Sequence, residues 1–557
     1  MSQVNDADYV EEFETPITLT TSERAVDVSV ETNILEPVSH QYTSTGGGVT
    51  RFVLPAKGVL NAPTTALCFE VVNGEQAGDG TDSRLAFQLD AGGIAMLNRI
   101  TVRCGGQILS RVDEAALYNT IKNKFKSQQF RENVLDVRHA SCNAVKTRIL
   151  PNPAGEAAQA GFDLGEGLVG YHQLMNPDLD QQNTYGEFPM TNGDLTHGKQ
   201  RNKLLRNFNN AGRGPEVAIR LADIIPFFVK NQLPLFAMAQ VEIECEWNKG
   251  PAAATQLDDI NSMPVIPDNP LAGGIGETTG HNIVFAAPPF LSLDYLHYDE
   301  NEMMKIQNHI KAGKYAFNFT EVVVTKGINP EYAGAVVAEH VVESNHLLGM
   351  MGKEVKKIYV VKNWNLNSTN GNHEKNNQYA GAFTHRNTQL WNLKSANIRD
   401  ESYNWIINNV RVYNQDIQQG ALQHHEMSEC ETQYQCLPGA YDSLNFNQDV
   451  VSVLANTGAA GTVDNTNAAS AITQRFLAAN AHVIGLNLDK YNEMGNAPGN
   501  GTRISSAPIE FRYSVKKNYA GAAPNAGNDV SAIDLTFFIE HRRSLIITEL
   551  GVKVSDA

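Results

Sequence analysis

Asn98-Arg-Ile-Thr-Val-Arg-Cys-Gly-Gly-Gln-Ile-Leu-Ser-Arg-Val-Asp-Glu-Ala-Ala-Leu-Tyr-Asn-Thr-Ile121 reads as strand, turn, strand and helix. Ile100, Val102 and Cys104 alternate with Thr101 and Arg103, the period of two that puts apolar side chains on one strand face. Gly105-Gly106 supplies the turn. Leu117, Ile121 and Phe125 recur at helical spacing, which predicts a helix over Asp113 to Lys126. The hairpin returns in looser form at Trp405-Ile-Ile-Asn-Asn-Val-Arg-Val-Tyr-Asn-Gln-Asp-Ile-Gln-Gln419, running on through Gln423-His-His-Glu426. Two such hairpins, each inside β-rich sequence, predict a duplicated all-β unit.

Outward from these hairpins the strands are short and alternating. Val49–Leu54, Ala66–Val72, Leu85–Leu89 and Gln240–Trp247 precede Tyr315–Val324, Lys357–Val361, His482–Leu488, Pro508–Tyr513 and Leu535–Ile539. They are rich in Val, Ile, Phe, Tyr and Thr, and Gly, Asn, Pro and Asp clusters bound them. Ile224–Val229 is a short apolar run of the kind found in a buried strand. Nothing repeats the strand–helix–strand rhythm of a parallel sheet. A second helix is expected from Asp299 to about Asn308, with Asp299 as N-cap and Glu302 at the third position. Long Gly-, Asn-, Ala- and Pro-rich stretches separate the strands at about 150–214, 248–282, 365–382, 456–472, 491–503 and 519–530. Loops of this length tend to face partners.

At 557 residues the chain is too long for one core. Its net charge of -17 argues against a nucleic-acid binder, because phosphate neutralisation demands a basic surface. Six cysteines (Cys68, Cys104, Cys142, Cys245, Cys430, Cys436) are no disulfide framework in so long a chain and fit a reducing compartment. No apolar run is long enough for a membrane-spanning helix. The N-terminus, with no basic start and no apolar core, reads as an acidic arm over 1–15 rather than a secretory signal.

In serial order the motifs resemble the double jelly-roll major capsid proteins of large eukaryotic DNA viruses, virophages and polinton-like viruses. Ile100-x-Val-x-x-Gly-Gly-Gln-x-Leu109 and its helix resemble the first-domain hairpin. Ile225-Pro-Phe-Phe, followed by Leu233-Pro-Leu-Phe-Ala-Met-Ala-Gln-Val-Glu-Ile243, resembles that family's proline-punctuated late strands. Leu293-Asp-Tyr-Leu-His-Tyr-Asp-Glu-Asn-Glu302 resembles the close of the first roll. Val355–Val361, Gly485–Lys490 with Ser505–Phe511, and Phe537–Ile547 resemble strands of the second. The resemblance covers roughly residues 40–555. The insertion at about 130–214 and the loop at 365–395 depart from it.

The resemblance implies an all-β fold of two tandem eight-stranded jelly rolls with long loop insertions and a few short helices. The expected division is an arm over 1–15, a first roll over 16–298, a linker helix over 299–314 and a second roll over 315–557. It further implies a major capsid protein that forms a homotrimeric, pseudo-hexagonal capsomer tiling an icosahedral shell, without enzymatic activity or cofactor. The implied location is the virion, after assembly inside the infected host cell. The implied partners are the other chains of the homotrimer, neighbouring capsomers, penton and minor capsid proteins and, where the shell encloses one, an internal membrane, with no specific nucleic-acid binding.

Four clusters carry candidate chemistry. Glu242, Glu244 and Glu246 share one strand face, and an acidic outward face explains them better than a cation site or a carboxylate pair across a cleft. His424, His425, Cys430 and Cys436 are zinc-ligand types. The adjacent histidines would diverge on a strand, and an edge strand and loop is the plainer expectation. Gly349-Met-Met-Gly-Lys353 lacks the Ser or Thr and the spacing of a phosphate loop and reads as a turn. Lys199, Arg201, Lys203, Arg206 and Arg213, with Phe208 nearby, form the densest basic stretch. It reads as a solvated loop or a patch for an acidic neighbour subunit rather than a nucleic-acid or lipid contact. No catalytic or metal residue is assigned. The alternative is a carbohydrate-binding or carbohydrate-active β-sandwich, for which four tryptophans are few. A minor capsid or spike protein would differ only in copy number.

Overall fold

The computed structural model describes residues 28–44, 46–73, 85–87, 91–124, 126, 130, 134–140, 150–151, 166–167, 204–205, 216–229, 231–249, 265–267, 283–332, 340–364, 401–418, 421–430, 483–489, 501–517 and 532–556. The first half supplies β1 (Val28–Leu35), β2 (Gly47–Val53), β3 (Ala66–Asn73), β4 (Leu97–Cys104), β5 (Gln107–Val112), β6 (Glu216–Arg220), β7 (Val241–Trp247) and β8 (Phe290–Tyr298). They pair antiparallel as β1-β8-β3-β6 in one sheet and β2-β7-β4-β5 in the other. The second half supplies β9 (Tyr315–Asn329), β10 (His340–Leu348), β11 (Glu354–Trp364), β12 (Glu401–Ile407), β13 (Val410–Arg411), β14 (Ile484–Asn487), β15 (Ile509–Lys517) and β16 (Ile533–Thr548). Their order is β9-β16-β11-β14 and β10-β15-β12-β13. The second half therefore repeats the first strand for strand, and each half has the double-sheet connection of a jelly roll. The fold is a double jelly roll. A last strand, β17 (Gly551–Asp556), folds back on β16.

Both hairpins foreseen from the sequence form, β4-β5 and β12-β13, and a helix follows each: α1 (Ala115–Lys124) and α3 (Ala421–Ser428). Their turns use different residues for one purpose. Gly105 and Gly106 have φ of 55° and 86°, and Asn408 and Asn409 have 50° and 66°. A two-residue turn that matches strand twist needs positive φ at both positions, which Gly adopts freely and Asn tolerates. Between the rolls, α2 (Glu300–Lys311) starts as the sequence predicts, with the Asp299 side chain accepting the Glu302 N–H at 2.9 Å.

One strand expectation is corrected. Ile224–Val229 is not a strand: Pro226–Phe228 forms a 3₁₀ turn. A second turn, Leu235–Ala237, interrupts the Leu233–Ile243 stretch before β7 begins. Pro226 has no N–H to give a ladder and its fixed φ suits the first position of a turn. Phe227 and Phe228 are buried there instead of pairing in a sheet.

The apolar residues form two clusters. Ile358, Val360, Trp405, Phe511, Phe537 and Ile539 lie in the core of the second roll. The larger cluster holds the first roll's core and continues through Tyr359, Val361 and Phe538 of the second roll. On β11, alternate residues thus enter different clusters. A strand buried on both faces reads as a continuous apolar run rather than an alternation, which is how Ile358-Tyr-Val-Val361 reads.

Candidate functional site

Tyr359 and Phe538 face the first roll, and α1 lies across them. Tyr118 donates its hydroxyl to Glu540 Oε1 at 2.6 Å, and Lys122 Nζ reaches the same oxygen at 2.9 Å. Lys122 also stands 5.1 Å from the centre of the Tyr359 ring, a cation–π contact. The Tyr118 and Phe538 rings are 5.6 Å apart. Beside the helix, β5 runs along β9. The Arg111 N–H donates to Glu321 Oε1 at 2.8 Å, and Arg543 donates to the Leu109 carbonyl at 3.1 Å. Lower in the seam, Phe227 packs edge-on against Phe319 at 4.9 Å. Apolar surface with a few hydrogen-bonded charges is the make-up of a permanent interface.

Tyr118→Phe leaves the packing of this seam in place but takes one donor from a buried carboxylate. Hydrogen bonds to charged groups contribute about 1.5–3 kcal/mol, and the expected loss is of that order, read as a lowered urea midpoint with an unchanged slope.

The repeat gives each side of this seam a counterpart. The β13–α3 region of the second roll corresponds to β5–α1 of the first, and the β1-β8-β3 sheet corresponds to β9-β16-β11. Each counterpart nevertheless keeps apolar side chains exposed among the described residues. Val410 is 67% exposed and Leu422 on α3 is 52% exposed; on β1, Val30 is 61% and Ile34 71% exposed. β1 is also a sheet edge, paired with β8 alone among the described strands. Exposed apolar edges of this kind are aggregation sites unless a partner covers them.

The residues singled out by sequence fall elsewhere. Glu242, Glu244 and Glu246 line the outer face of β7, while Val241, Ile243, Cys245 and Trp247 point inward. Arg51 donates to Glu242 at 3.0 Å and Arg103 to Glu244 at 3.4 Å, and Glu246 takes Arg99 and, at 2.9 Å, Asn98. The carboxylates belong to a cross-strand ladder of opposite charges. His425 and Cys430 correct an expectation, because α3 is a helix and not an edge strand. The exposed Leu422 and the buried Gln423, Glu426 and Met427 follow helical rather than two-fold spacing. Cys430 is buried, its thiol 3.6 Å from the Glu426 carbonyl. Gly349–Lys353 is a turn, with Gly352 at φ 82°. The His424 side chain, Cys436, the arm 1–15 and the basic side chains Lys199 to Arg213 lie outside the described residues.

Sequence reasoning missed the buried charges. Glu321 follows Tyr315, Phe317 and Phe319 in the same strand phase, and Lys362 follows Ile358 and Val360. A charge at the apolar phase of a strand was the available signal. Burial pushes the Glu321 carboxyl up to about 7, against the opposing pull of Ser110, the Arg111 N–H, Arg543 and Lys353.

No family model matches the chain, and no curated protein sequence does. Solved structures similar to it include PBCV-1 VP54 fitted into a reconstruction of the virophage Sputnik, with 10% identity over 96% of this chain and 98% of that one and a TM-score of 0.48. The Sputnik virophage structure itself has 10% identity over 96% and 90%, with a TM-score of 0.48. The mavirus major capsid protein has 11% identity over 96% and 92%, with a TM-score of 0.46.

Proposed function

We propose that this chain is a major capsid protein that works by assembly, as a homotrimer of six jelly rolls arranged as a pseudo-hexagonal tile. The observation that carries this reading is the seam and its two counterparts with their exposed apolar side chains. Within one chain the helix side of the first roll covers the sheet side of the second. The second roll offers the same helix side outward, and the first roll offers the same sheet side. Joining the one to the other between chains makes a head-to-tail contact, which gives a closed ring when the rotation closes. The resemblance of the serial motifs to double jelly-roll capsid proteins implies three chains as the number that closes it. On this reading the tile takes its place in the virion shell after assembly in the host cell. It meets neighbouring capsomers, penton and minor capsid proteins and, where the shell encloses one, a membrane. Its role is structural rather than enzymatic.

The carbohydrate reading needs an exposed aromatic face, and the described tryptophan side chains Trp247 and Trp405 are buried inside the rolls. Light scattering on the purified protein tests the proposal. A particle near 180 kDa, about three times the 61.0 kDa chain, that survives dilution is expected. A species that stays at the mass of one chain at high concentration overturns it.

A further inference from the structure

The paired strands β9 and β16 pass from one apolar cluster to the other. On β16, Ile533, Leu535, Phe537 and Ile539 line the core of the second roll, whereas Leu545 and Ile547, in the same alternation, belong to the cluster shared with the first. At the handover, Glu321 stands directly opposite His541 in register. They are 6% and 1% exposed. From β5, the Arg111 N–H meets Glu321 Oε1, and the Ser110 hydroxyl stands beside the same carboxyl. From the turn before β11, Lys353 Nζ lies 3.5 Å from His541 Nε2. The other ring nitrogen is 3.1 Å from the Arg542 carbonyl. From β16 and β17, Arg543 and Asp556 pair at 2.9 Å, and Asp556 is 3.9 Å from Lys353. Arg542 is engaged with Glu354 at 3.4 Å.

We propose that Glu321 and His541 form a compensated proton pair, each offsetting the other's response to acid, so that the seam between the rolls holds evenly across the mildly acidic range. Two neutral side chains suit this position, where the wall of one core becomes the floor of the other and a net charge would have little water to face. Burial raises the Glu321 carboxyl from an ordinary 4.5 to about 7. Burial, and then Lys353, lowers the His541 imidazole from 6.5 to about 4. A carboxyl that titrates higher in the fold than in the unfolded chain contributes stability fully below its ordinary value and loses it as pH rises through 7. An imidazole that titrates lower contributes above 6.5 and loses it as pH falls through 4. Between 4.5 and 6.5 one contribution falls with pH while the other rises at the same slope, and their sum is level.

The test compares equilibrium unfolding of the full-length protein at pH 4.5, 5.5 and 6.5. Relative to wild type, the folding constant of Glu321→Gln falls about tenfold for each pH unit of acidification, since one unit of unmatched titration is a factor of ten. That of His541→Asn rises by the same factor, and the double variant regains the wild-type profile. Either single variant tracking the wild type overturns the proposal. Where a variant does not fold, the wild type carries the test. The infrared band of a protonated carboxylic acid at pH 6, lost by pH 8, and a histidine ring still neutral at pH 5 are expected, and absence of either one overturns it.

Discussion

Placing aspartate at Val410 and Leu422 together converts the proposed trimer to single chains of 61.0 kDa that still fold. Both side chains are largely exposed in the chain, so the folded monomer has nothing to lose by the change. In the proposed trimer both enter an apolar contact three times over. An ionised carboxylate taken out of water without a partner costs several kcal/mol, and six of them exceed what a contact of ordinary size can offset. Val30→Asp with Ile34→Asp, on the opposing face, gives the same outcome by the same route. Leu550→Asp serves as control, since Leu550 is fully exposed in the tight turn between β16 and β17 and belongs to neither face. The measurement is again solution mass, with circular dichroism to confirm the fold. Should both double variants remain trimeric, the trimer is built on other surfaces.

The second large effect lies inside the second roll. Lys362 of β11 and Glu401 of β12 come from opposite sheets and form an ion pair with no exposure of either side chain. The Glu401 carboxylate also accepts from the Tyr513 hydroxyl at 2.7 Å and from Gln423 of α3 at 3.0 Å. Burial pulls the Lys362 ammonium below its ordinary range while Glu401 holds it up. Lys362→Met removes the cation and strands a carboxylate in the core, and breaking a buried pair in this way costs about 3–5 kcal/mol. Lys362→Met with Glu401→Gln recovers most of that loss, because the amide is neutral yet still accepts from Tyr513 and Gln423. The pair of urea midpoints decides the matter. A double variant no more stable than the single one would mean that the cation itself, rather than the pairing, holds the two sheets together. Since Gln423 ties α3 to this network, the single variant also loosens the helix proposed to dock the next chain.

Much of this fold was legible because strands announce themselves when one face is buried and the other is wet. Val241, Ile243, Cys245 and Trp247 against three glutamates admit only one period. The hairpins were legible from Gly105-Gly106 and Asn408-Asn409, whose backbone freedom fixes the turn. The proline turn at Pro226 was not, because Ile224–Val229 is equally apolar as a strand or as a wedge of phenylalanines, and length alone does not separate them. Helix α3 was hidden for a related reason. Its eight residues carry a weak apolar stripe, and its buried Gln423 and Glu426 are polar groups partnered by tertiary contacts that local spacing does not reveal. The assembly faces were hidden most deeply. Val30, Ile34, Val410 and Leu422 look like ordinary strand and helix residues, and only the geometry of the repeat makes them a matched set.

The order in which the strands pair has a consequence for the chain as it is made. β1 waits for β8, some 260 residues later, and β9 waits for β16, some 220 residues later. The first roll can therefore close while the ribosome is still at work on the second, with α1 seated on its own roll but lacking the strands that cover its other side. Tyr118 stays bare on that side until β16 emerges, since the Phe538 and Glu540 that meet it lie some 420 residues further along. A chain that has closed its first roll but not yet made β16 is thus at its most adhesive. On a crowded polysome, the nearest matching surface is the finished second roll of the chain ahead.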